Sequence, residues 1–419
     1  MLSALTPSLS QGPTREVINI VIGLSPIILA FCLFLIFWPL WVQYVRAKFF
    51  YKEKYCVLEI RLPKETVKSP LAMELFLTAL HQTGGEGNWY DKFWLGKTRP
   101  WFSLEMVSIE GQIHFFIWTR AGFKNFIESS LYAQFPGVEV HEMDDYAKSV
   151  HFDPKETSIW GCEFKFAKSN GYPIKTYVDY GLDKDPKEEF KVDPLSPLLE
   201  FLGSVGANQQ VWIQFIVRAH KDDQPKPGHL FKTHDKWKVE TLKEINKILV
   251  RDEKTKVAGH VGEDGAGQRI TLSPGEQDVV KALERSISKL GYDVGIRAMY
   301  IAKKSSFVGT TIPGLIGSFK QFNTEHLNGF KIVTDEWSPK FSYPWQDYKE
   351  IRQNKMRHHL LNTYKYRSFF HQPYVGHHAL VLNSEELATI FHFPGQVAAA
   401  PTLARIVSKK GQAPANLPI

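Results

Sequence analysis

The sequence predicts an α+β protein with one N-terminal transmembrane helix, two α/β sandwich modules, and a short C-terminal helical and extended segment. Three features support this: a long uncharged apolar run, two successive sets of strand and helix patterns, and a proline-containing tail. The 419 residues suffice for two or three domains. With 43% hydrophobic and 23% charged residues, the chain is neither disordered nor wholly embedded in a bilayer.

Charge and cysteine content limit the possible binding partners and the cellular compartment of the protein. A formal net charge of +7 weakly favours anionic partners such as membrane surfaces or nucleic acid. The three cysteines, Cys32, Cys56 and Cys162, are far apart and form neither a disulfide framework nor a zinc spacing. Reduced thiols in a cytosolic module are therefore expected.

The apolar run between Glu16 and Arg46 contains 29 residues without a charge. About 20 apolar residues span a bilayer core as a helix, so residues 17–45 are predicted to cross it. A cleaved signal peptide is the alternative, but its apolar region would be shorter and would end at small residues. Aromatic and basic residues at the end of the run are assigned to the membrane interface: Trp38, Trp41, Tyr44, Arg46 and Lys48.

The charges that flank this run predict its orientation. Arg46, Lys48, Lys52 and Lys54 follow it, whereas Arg15 alone precedes it. The positive-inside rule then places residues 1–16 outside and the C-terminal bulk in the cytoplasm. The chain is predicted to be a single-pass protein of the plasma (inner) membrane.

The first module, residues 55–146, contains strand and helix patterns in the order β-α-β-β-α-β. Ser69 is the expected N-cap of its first helix, and Glu110-Gly111 is the expected hairpin turn. This order is the split β-α-β pattern of ferredoxin-like domains.

The second module, residues 155–335, reads β-β-α-β-α-β and is predicted to be a rearranged copy of the same sandwich. Its first two strands are "SIWGCEFKFA" and "YPIKTYVDYG", and Ser273 with Glu276 predicts a capping box. A charged insertion, 221–272, is predicted to be a solvated helix followed by a flexible loop. A closing helical region, 336–395, and an extended tail, 396–419, complete the chain.

Catalytic motifs are absent from the sequence. "LGKTRP" resembles part of a nucleotide-binding loop, but Asp91 stands where a P-loop needs its first glycine. Glu105 and Glu110 are expected on opposite faces of their hairpin. The late histidines lack metal-ligand spacing: His358, His359, His371, His377, His378 and His392. We therefore predict no enzyme and assign no catalytic, cofactor-binding or metal-binding residue.

The segment "NWYDKFWLGKTRPW" interleaves aromatic residues with cations in a long loop. Such a composition suits a membrane interface or stacked single-stranded nucleic acid. Packing of the loop onto its own domain is the third interpretation. The sequence leaves all three open.

Several segments together carry a family resemblance. They are "RPWFSLEMVSIEGQIHFFIWTRAGFKNFIESSLYAQFPGVEVHEMDDY", "IRAMYIAKKSSF", "FKQFNTEHLNGFK", "VLNSEELATIFHFPG" and "APANLP". In this order they resemble the region that precedes the motor in bacterial TraG-like proteins of conjugative, type IV secretion-type DNA transfer. The resemblance covers most of residues 55–419 except the insertion. It implies a membrane anchor and a P-loop ATPase partner, but none of the family's Walker motifs has a counterpart here.

The helix in "VLNSEELATIFHFPG" is expected to close the accessory module, with Asn383 as N-cap and Glu386 as its capping partner. The tail after it would be a linker toward a motor that is a separate chain or lies outside this sequence. Residues from about Lys409 are expected to become ordered when the ATPase docks. The candidate docking residues are Asn383, Glu386, Phe391, Phe393 and Pro394.

Two functions follow from the sequence. The first is a membrane-anchored, non-catalytic scaffold for a separately encoded conjugative or secretion ATPase. The second is a membrane-bound nucleic-acid-binding protein that works without a motor. Direct DNA contact and homo-oligomerisation remain open as further partner predictions.

Overall fold

The computed structural model describes most of the chain. The described residues are 13–63, 68–183, 192–222, 224–225, 233–249, 272–334, 337–339, 341, 343, 345–376, 379–395 and 405–406. They form two compact units. Unit 1 contains Met1–Glu53 and Gly85–Thr98, and unit 2 contains Lys54–Gly84 and Arg99–Ile419.

The elements follow one another in this order. The helices are α1 (Pro13–Lys52), α2 (Pro70–Leu80), α3 (Trp89–Phe93), α4 (Lys124–Gln134), α5 (Tyr146–Ser149), α6 (Ser196–Gly203), α7 (Lys236–Ile248), α8 (Pro274–Ile287), α9 (Thr311–Gly317), α10 (Ile351–Lys365) and α11 (Ser384–Ile390). The strands are β1 (Tyr55–Pro63), β2 (Trp101–Ile109), β3 (Gln112–Arg120), β4 (Glu139–Met143), β5 (Thr157–Phe166), β6 (Gln209–Ala219), β7 (Gln224–Pro225), β8 (Thr233–His234), β9 (Gly291–Lys303), β10 (Phe330–Val333), β11 (Leu380–Asn383) and β12 (Arg405–Ile406).

Among the described residues, unit 2 contains one 10-stranded sheet with the main strand order β10-β5-β9-β6-β2-β3-β1-β12. In addition, β4 pairs with β1 and β11 pairs with β9. All pairings in this sheet are antiparallel except the short contact of β12 with β1. The α+β class is confirmed, and so is one long apolar helix at the N-terminal end of the described residues.

Each half of this sheet contains split β-α-β connections. In the first half, α2 connects β1 to β2, and β3 lies between these two strands. Likewise, α4 connects β3 to β4, and β1 lies between them. In the second half, α6 lies between β5 and β6 in the chain, and β9 lies between these two strands in the sheet. Likewise, α9 lies between β9 and β10 in the chain, and β5 lies between them in the sheet. The halves meet where β2 pairs with β6 over its whole length, so the two sequence modules share one sheet.

Alternation along the strands gives the sheet two covered faces. Leu58, Leu104 and Phe215 belong to a large apolar core with residues of α2, α4, α6 and α11. Glu59, Glu105, Gln214 and Arg297 occupy alternate positions and point to the other face. Part of that second face lies under α10, where Tyr364 packs on Trp212 with ring centroids 5.1 Å apart.

Several local predictions are confirmed because short-range chemistry decides them. Ser69 caps α2, and the Ser273–Glu276 capping box begins α8. Glu110 and Gly111 both have positive φ, at 53° and 87°, in the two-residue turn between β2 and β3.

Two predictions are wrong. Residues of "YPIKTYVDYG" form turns instead of a strand, with Ile174 and Tyr177 buried in the core. The closing region is also not only helical, because β11 extends the sheet at β9. Apolar residues alone did not distinguish a buried turn from a strand.

The loop half of the insertion and the tail from Lys409 lie outside the described residues.

Candidate membrane-interface site

Five aromatic side chains of unit 1 pack together where the apolar part of α1 ends. Trp38 lies 6.3 Å from Trp89 and 5.5 Å from Phe93, measured between ring centroids. Trp41 lies 5.6 Å from Trp94, and Trp89 lies 5.5 Å from Trp94. We call these five residues the aromatic collar.

Two contacts with main-chain atoms hold the segment Gly85–Thr98 against α1; this segment contains the short helix α3, and we call it the loop of the collar. The indole Nε1 of Trp41 donates a hydrogen bond to the Phe93 carbonyl oxygen at 3.0 Å. Gly96 has φ of +67°, and a Cβ at this position would lie 2.4 Å from the Val45 carbonyl oxygen. Only glycine therefore fits both the backbone conformation and the close approach to α1.

The collar adjoins a helix surface that is apolar and exposed. From Ile22 to Leu40, the large apolar side chains of α1 other than Trp38 are 46–67% exposed. Of the described helices, this one is long and apolar enough to cross a membrane. Trp89 and Trp94 of the collar are themselves 60% and 47% exposed. Burial within unit 1 thus leaves a large apolar area uncovered.

The predicted interface residues lie in or next to this collar. Trp38 and Trp41 belong to it, and the ring of Tyr44 lies 6.1 Å from that of Trp41. Arg46 is half-buried and Lys48 is exposed on the following turn of α1. The sequence placed these five residues on one helix end, and the structure adds the loop that packs against Trp38 and Trp41.

The aromatic loop packs against α1, which the sequence interpretation did not anticipate. Loop and helix are separated by about 50 residues in the chain, so periodicity could not pair them. Within "LGKTRP", Lys97 forms an ion pair with Asp91 at 2.9 Å, and Thr98 and Arg99 are buried. The Lys97 ammonium group is thus paired with a carboxylate of its own loop.

The candidate docking residues lie in the core of unit 2, not on its surface. The capping box of Asn383 with Glu386 is present as predicted. However, all five proposed docking side chains are buried: Asn383, Glu386, Phe391, Phe393 and Pro394. Their packing and capping contacts are therefore internal, and these side chains do not form a docking surface.

Glu386 also ties α11 to the segment that was mistaken for a strand. Its two carboxylate oxygens accept hydrogen bonds from the backbone N–H groups of Ile174 and Asn383, at 2.8 and 2.9 Å. Burial raises the pKa of Glu386 to about 8, although these backbone donors favour the charged form.

A buried ionic network on the second face of the sheet was missed. Arg367 donates to Glu105 at 3.0 and 3.2 Å and to Asp145 at 2.5 and 2.9 Å. Tyr146 and Gln214 also donate to Glu105, at 2.8 and 3.0 Å. The only sequence signal was Glu105, the one charged residue of strand β2. The distant arginine had no signal.

His220 joins β6, β9 and the start of α7 beside a cavity of about 320 Å³. Its Nδ1 lies 2.5 Å from Asp293 and its Nε2 lies 3.3 Å from Asp235. Burial lowers the pKa of His220, but hydrogen bonds and charge from the two carboxylates outweigh burial and raise it. Both nitrogens are occupied, so the arrangement stabilises an imidazolium cation and does not suit a general base.

The late histidines that the structure describes are distributed over separate environments. His392 is buried and its Nε2 lies 3.1 Å from Asp193, whereas His358 and His359 are exposed on α10. His377 and His378 lie outside the described residues. Among the residues with described positions, no group of histidine, cysteine and acidic side chains is arranged to hold a metal ion.

Comparison with known protein families finds one family model that covers most of the chain. Residues 48–405 match the model of a family described as a domain of unknown function, DUF8128. The chain belongs to this family. The match contains the collar loop and strands β1 to β11, it ends within β12, and it begins near the C-terminal end of α1. No curated protein matches the chain.

Proposed function

We propose that this DUF8128 protein is a membrane-anchored, non-catalytic scaffold for a conjugative or type IV secretion-like DNA-transfer ATPase. The observation that carries the anchor is the exposure of apolar side chains along α1. In water these apolar side chains would remain exposed, whereas the hydrocarbon of a bilayer would bury them. The basic residues after α1 favour a cytoplasmic position for unit 2, at the inner membrane.

The scaffold part of the proposal draws on fold and resemblance. We assign each half of the sheet to a ferredoxin-like module, because each half contains two split β-α-β connections. This fold alone does not determine a function. The resemblance of the sequence to the region before the motor of TraG-like proteins favours a P-loop ATPase as the partner.

The topology of the anchor gives the first prediction. Protease added to intact spheroplasts should leave residues 55–419 uncut, and the same protease should digest them after the membrane is opened. The measurement is immunoblotting of a C-terminal epitope tag. Digestion of unit 2 in sealed spheroplasts would overturn the orientation and with it the contact to a cytoplasmic motor.

A second candidate, a membrane-bound nucleic-acid-binding protein without a motor, is favoured by an aromatic–basic patch of Tyr343, Trp345, Tyr348, Lys349 and Arg352. Trp345 is 77% exposed, and its ring stacks on that of Tyr343 at 4.8 Å with an interplanar angle of 11°. The Lys349 ammonium lies 5.1 Å from the Tyr348 ring centroid. Exposed aromatic rings can stack on the bases of a single-stranded nucleic acid, and neighbouring cations can neutralise its phosphates.

One experiment separates the two functions. If the second is correct, the full chain in detergent binds a fluorescent single-stranded oligonucleotide with a steep salt dependence. Trp345→Ala should then weaken binding at least about fivefold, since stacking contributes roughly 1–3 kcal/mol per base. Tyr132→Ala, which removes an exposed aromatic ring from α4, is the matched control. Absent oligonucleotide binding combined with co-purification of a P-loop ATPase encoded beside this chain would favour the scaffold.

A further inference from the structure

We propose that the aromatic collar lies in the lipid headgroup layer of the membrane, so that the loop of Gly85–Thr98 is a second membrane contact beside α1. This inference deepens the proposed function and depends on α1 spanning the bilayer. The partner of the collar is lipid at the water–membrane boundary, on the side where α1 leaves the membrane toward β1.

The length of α1 places the collar at that boundary. An α-helix rises 1.5 Å per residue, so the uncharged stretch from Val17 to Trp38 rises about 32 Å. This matches the hydrocarbon thickness of a bilayer, about 30 Å. Trp38 and Trp41 then lie at the edge of the hydrocarbon, where headgroups begin. The loop is packed against these two residues and must lie at the same depth.

The side chains of the collar have the chemistry of this layer. Tryptophan and tyrosine combine an apolar ring with a polar group, which is why they concentrate at membrane interfaces. Trp89, Tyr90 and Trp94 are 60%, 55% and 47% exposed within a single short loop. The indole N–H of Trp41 already donates to the Phe93 carbonyl, so its ring can enter an apolar layer without an unsatisfied donor.

The charges beside the collar fit anionic headgroups. Lys48 is exposed one turn beyond Tyr44, and Lys52 follows it at the end of α1. Within the loop, the carboxylate of Asp91 is paired with Lys97 and presents little free negative charge. The ammonium group of Lys92 lies 5.6 Å from the Phe93 ring centroid, so a cation of the loop also lies beside the collar. Basic residues near a membrane surface are attracted to anionic lipids.

Gly96 supplies a test that changes the loop without removing an aromatic side chain. Because a Cβ at this position would lie 2.4 Å from the Val45 carbonyl oxygen, Gly96→Ala must lift the loop away from α1. Gly87→Ala is the matched control, since its Cβ would meet only an Asp91 carboxylate oxygen, at 3.9 Å. Both changes add one methyl group to the same loop.

The experiment uses the full chain in vesicles of phosphatidylcholine and phosphatidylglycerol. Cys32→Ala removes the exposed cysteine, and the other two cysteines are buried, so a nitrobenzoxadiazole label can be placed at Tyr90→Cys. Lipids that carry a nitroxide at the headgroup or at the end of the acyl chain then quench the label according to its depth. A label at Leu29→Cys reports separately on whether α1 lies within the hydrocarbon.

The label at position 90 should be quenched more by the headgroup nitroxide than by the acyl-chain nitroxide. Gly96→Ala should reduce that quenching by roughly half, because the loop loses its contact with α1, and Gly87→Ala should leave it unchanged. Quenching at position 29 without quenching at position 90 would overturn the headgroup contact and leave the anchor intact. No quenching at position 29, together with release of the chain by alkaline carbonate, would overturn both the anchor and the collar contact.

Discussion

Replacing Arg367 with methionine is expected to lower the free energy of unfolding by about 3–5 kcal/mol, because it leaves buried carboxylates without their cation. The side chains of Arg367 and Glu105 are both 0% exposed, and Asp145 contributes a second carboxylate. Burial opposes the charge, but the two carboxylates raise the pKa of Arg367 above its ordinary value. Methionine keeps most of the volume, so the measured change reports mainly on charge. Urea denaturation of the full chain in mild detergent, followed by near-ultraviolet circular dichroism, measures it.

The control for this charge effect is Lys281→Met on α8. Its ion pair with Asp278, at 3.4 Å, is 72% and 77% exposed, so solvent already screens both charges. The unfolding curve of this variant should overlay that of the parent chain. Equal and small effects of the two substitutions would show that water reaches the Arg367 network, contrary to the packing described above.

Phe391→Ala is expected to destabilise unit 2 by about 3–5 kcal/mol, because it opens a cavity in the core. Phe391 is 0% exposed, and its ring centroid lies 6.0 Å from those of Phe115 and Phe215. It therefore joins α11 to strands of both halves of the sheet. Thermal unfolding of the full chain in detergent measures the loss.

This variant also tests the correction of the docking assignment. Tyr366→Ala removes a ring that is 64% exposed and should leave the melting temperature nearly unchanged. If Phe391→Ala were as stable as Tyr366→Ala and lost only binding to an ATPase, the residue would be a surface anchor after all. The burial of Phe391 predicts the opposite result.

Short-range chemistry made part of the fold predictable. The capping boxes at Ser273 and Asn383, the turn at Glu110, and the uncharged length of α1 each depend on residues within a few positions of one another. Such signals do not depend on the rest of the chain. They supplied the elements of the α+β class and the helix that is long enough for a membrane.

The candidate site was predictable only on its helical side. Trp38, Trp41 and Tyr44 could be placed at the end of an apolar run, because a 3.6-residue period and a length limit apply there. The loop half of the collar depends on Gly96 approaching the backbone of Val45, a contact across about 50 residues. No pattern within either segment encodes that contact.

The sequence alone thus determined the α+β class, the membrane-length apolar helix and the local caps and turns, because hydrophobic length and backbone hydrogen bonding are local. Only the tertiary structure decided that β2 and β6 join two modules into one sheet, since pairing depends on residues 111 positions apart, such as Leu104 and Phe215. It likewise decided that Arg367 neutralises Glu105, and that α11 is internal. These outcomes depend on which surfaces exclude water together, and that is a property of the assembled chain.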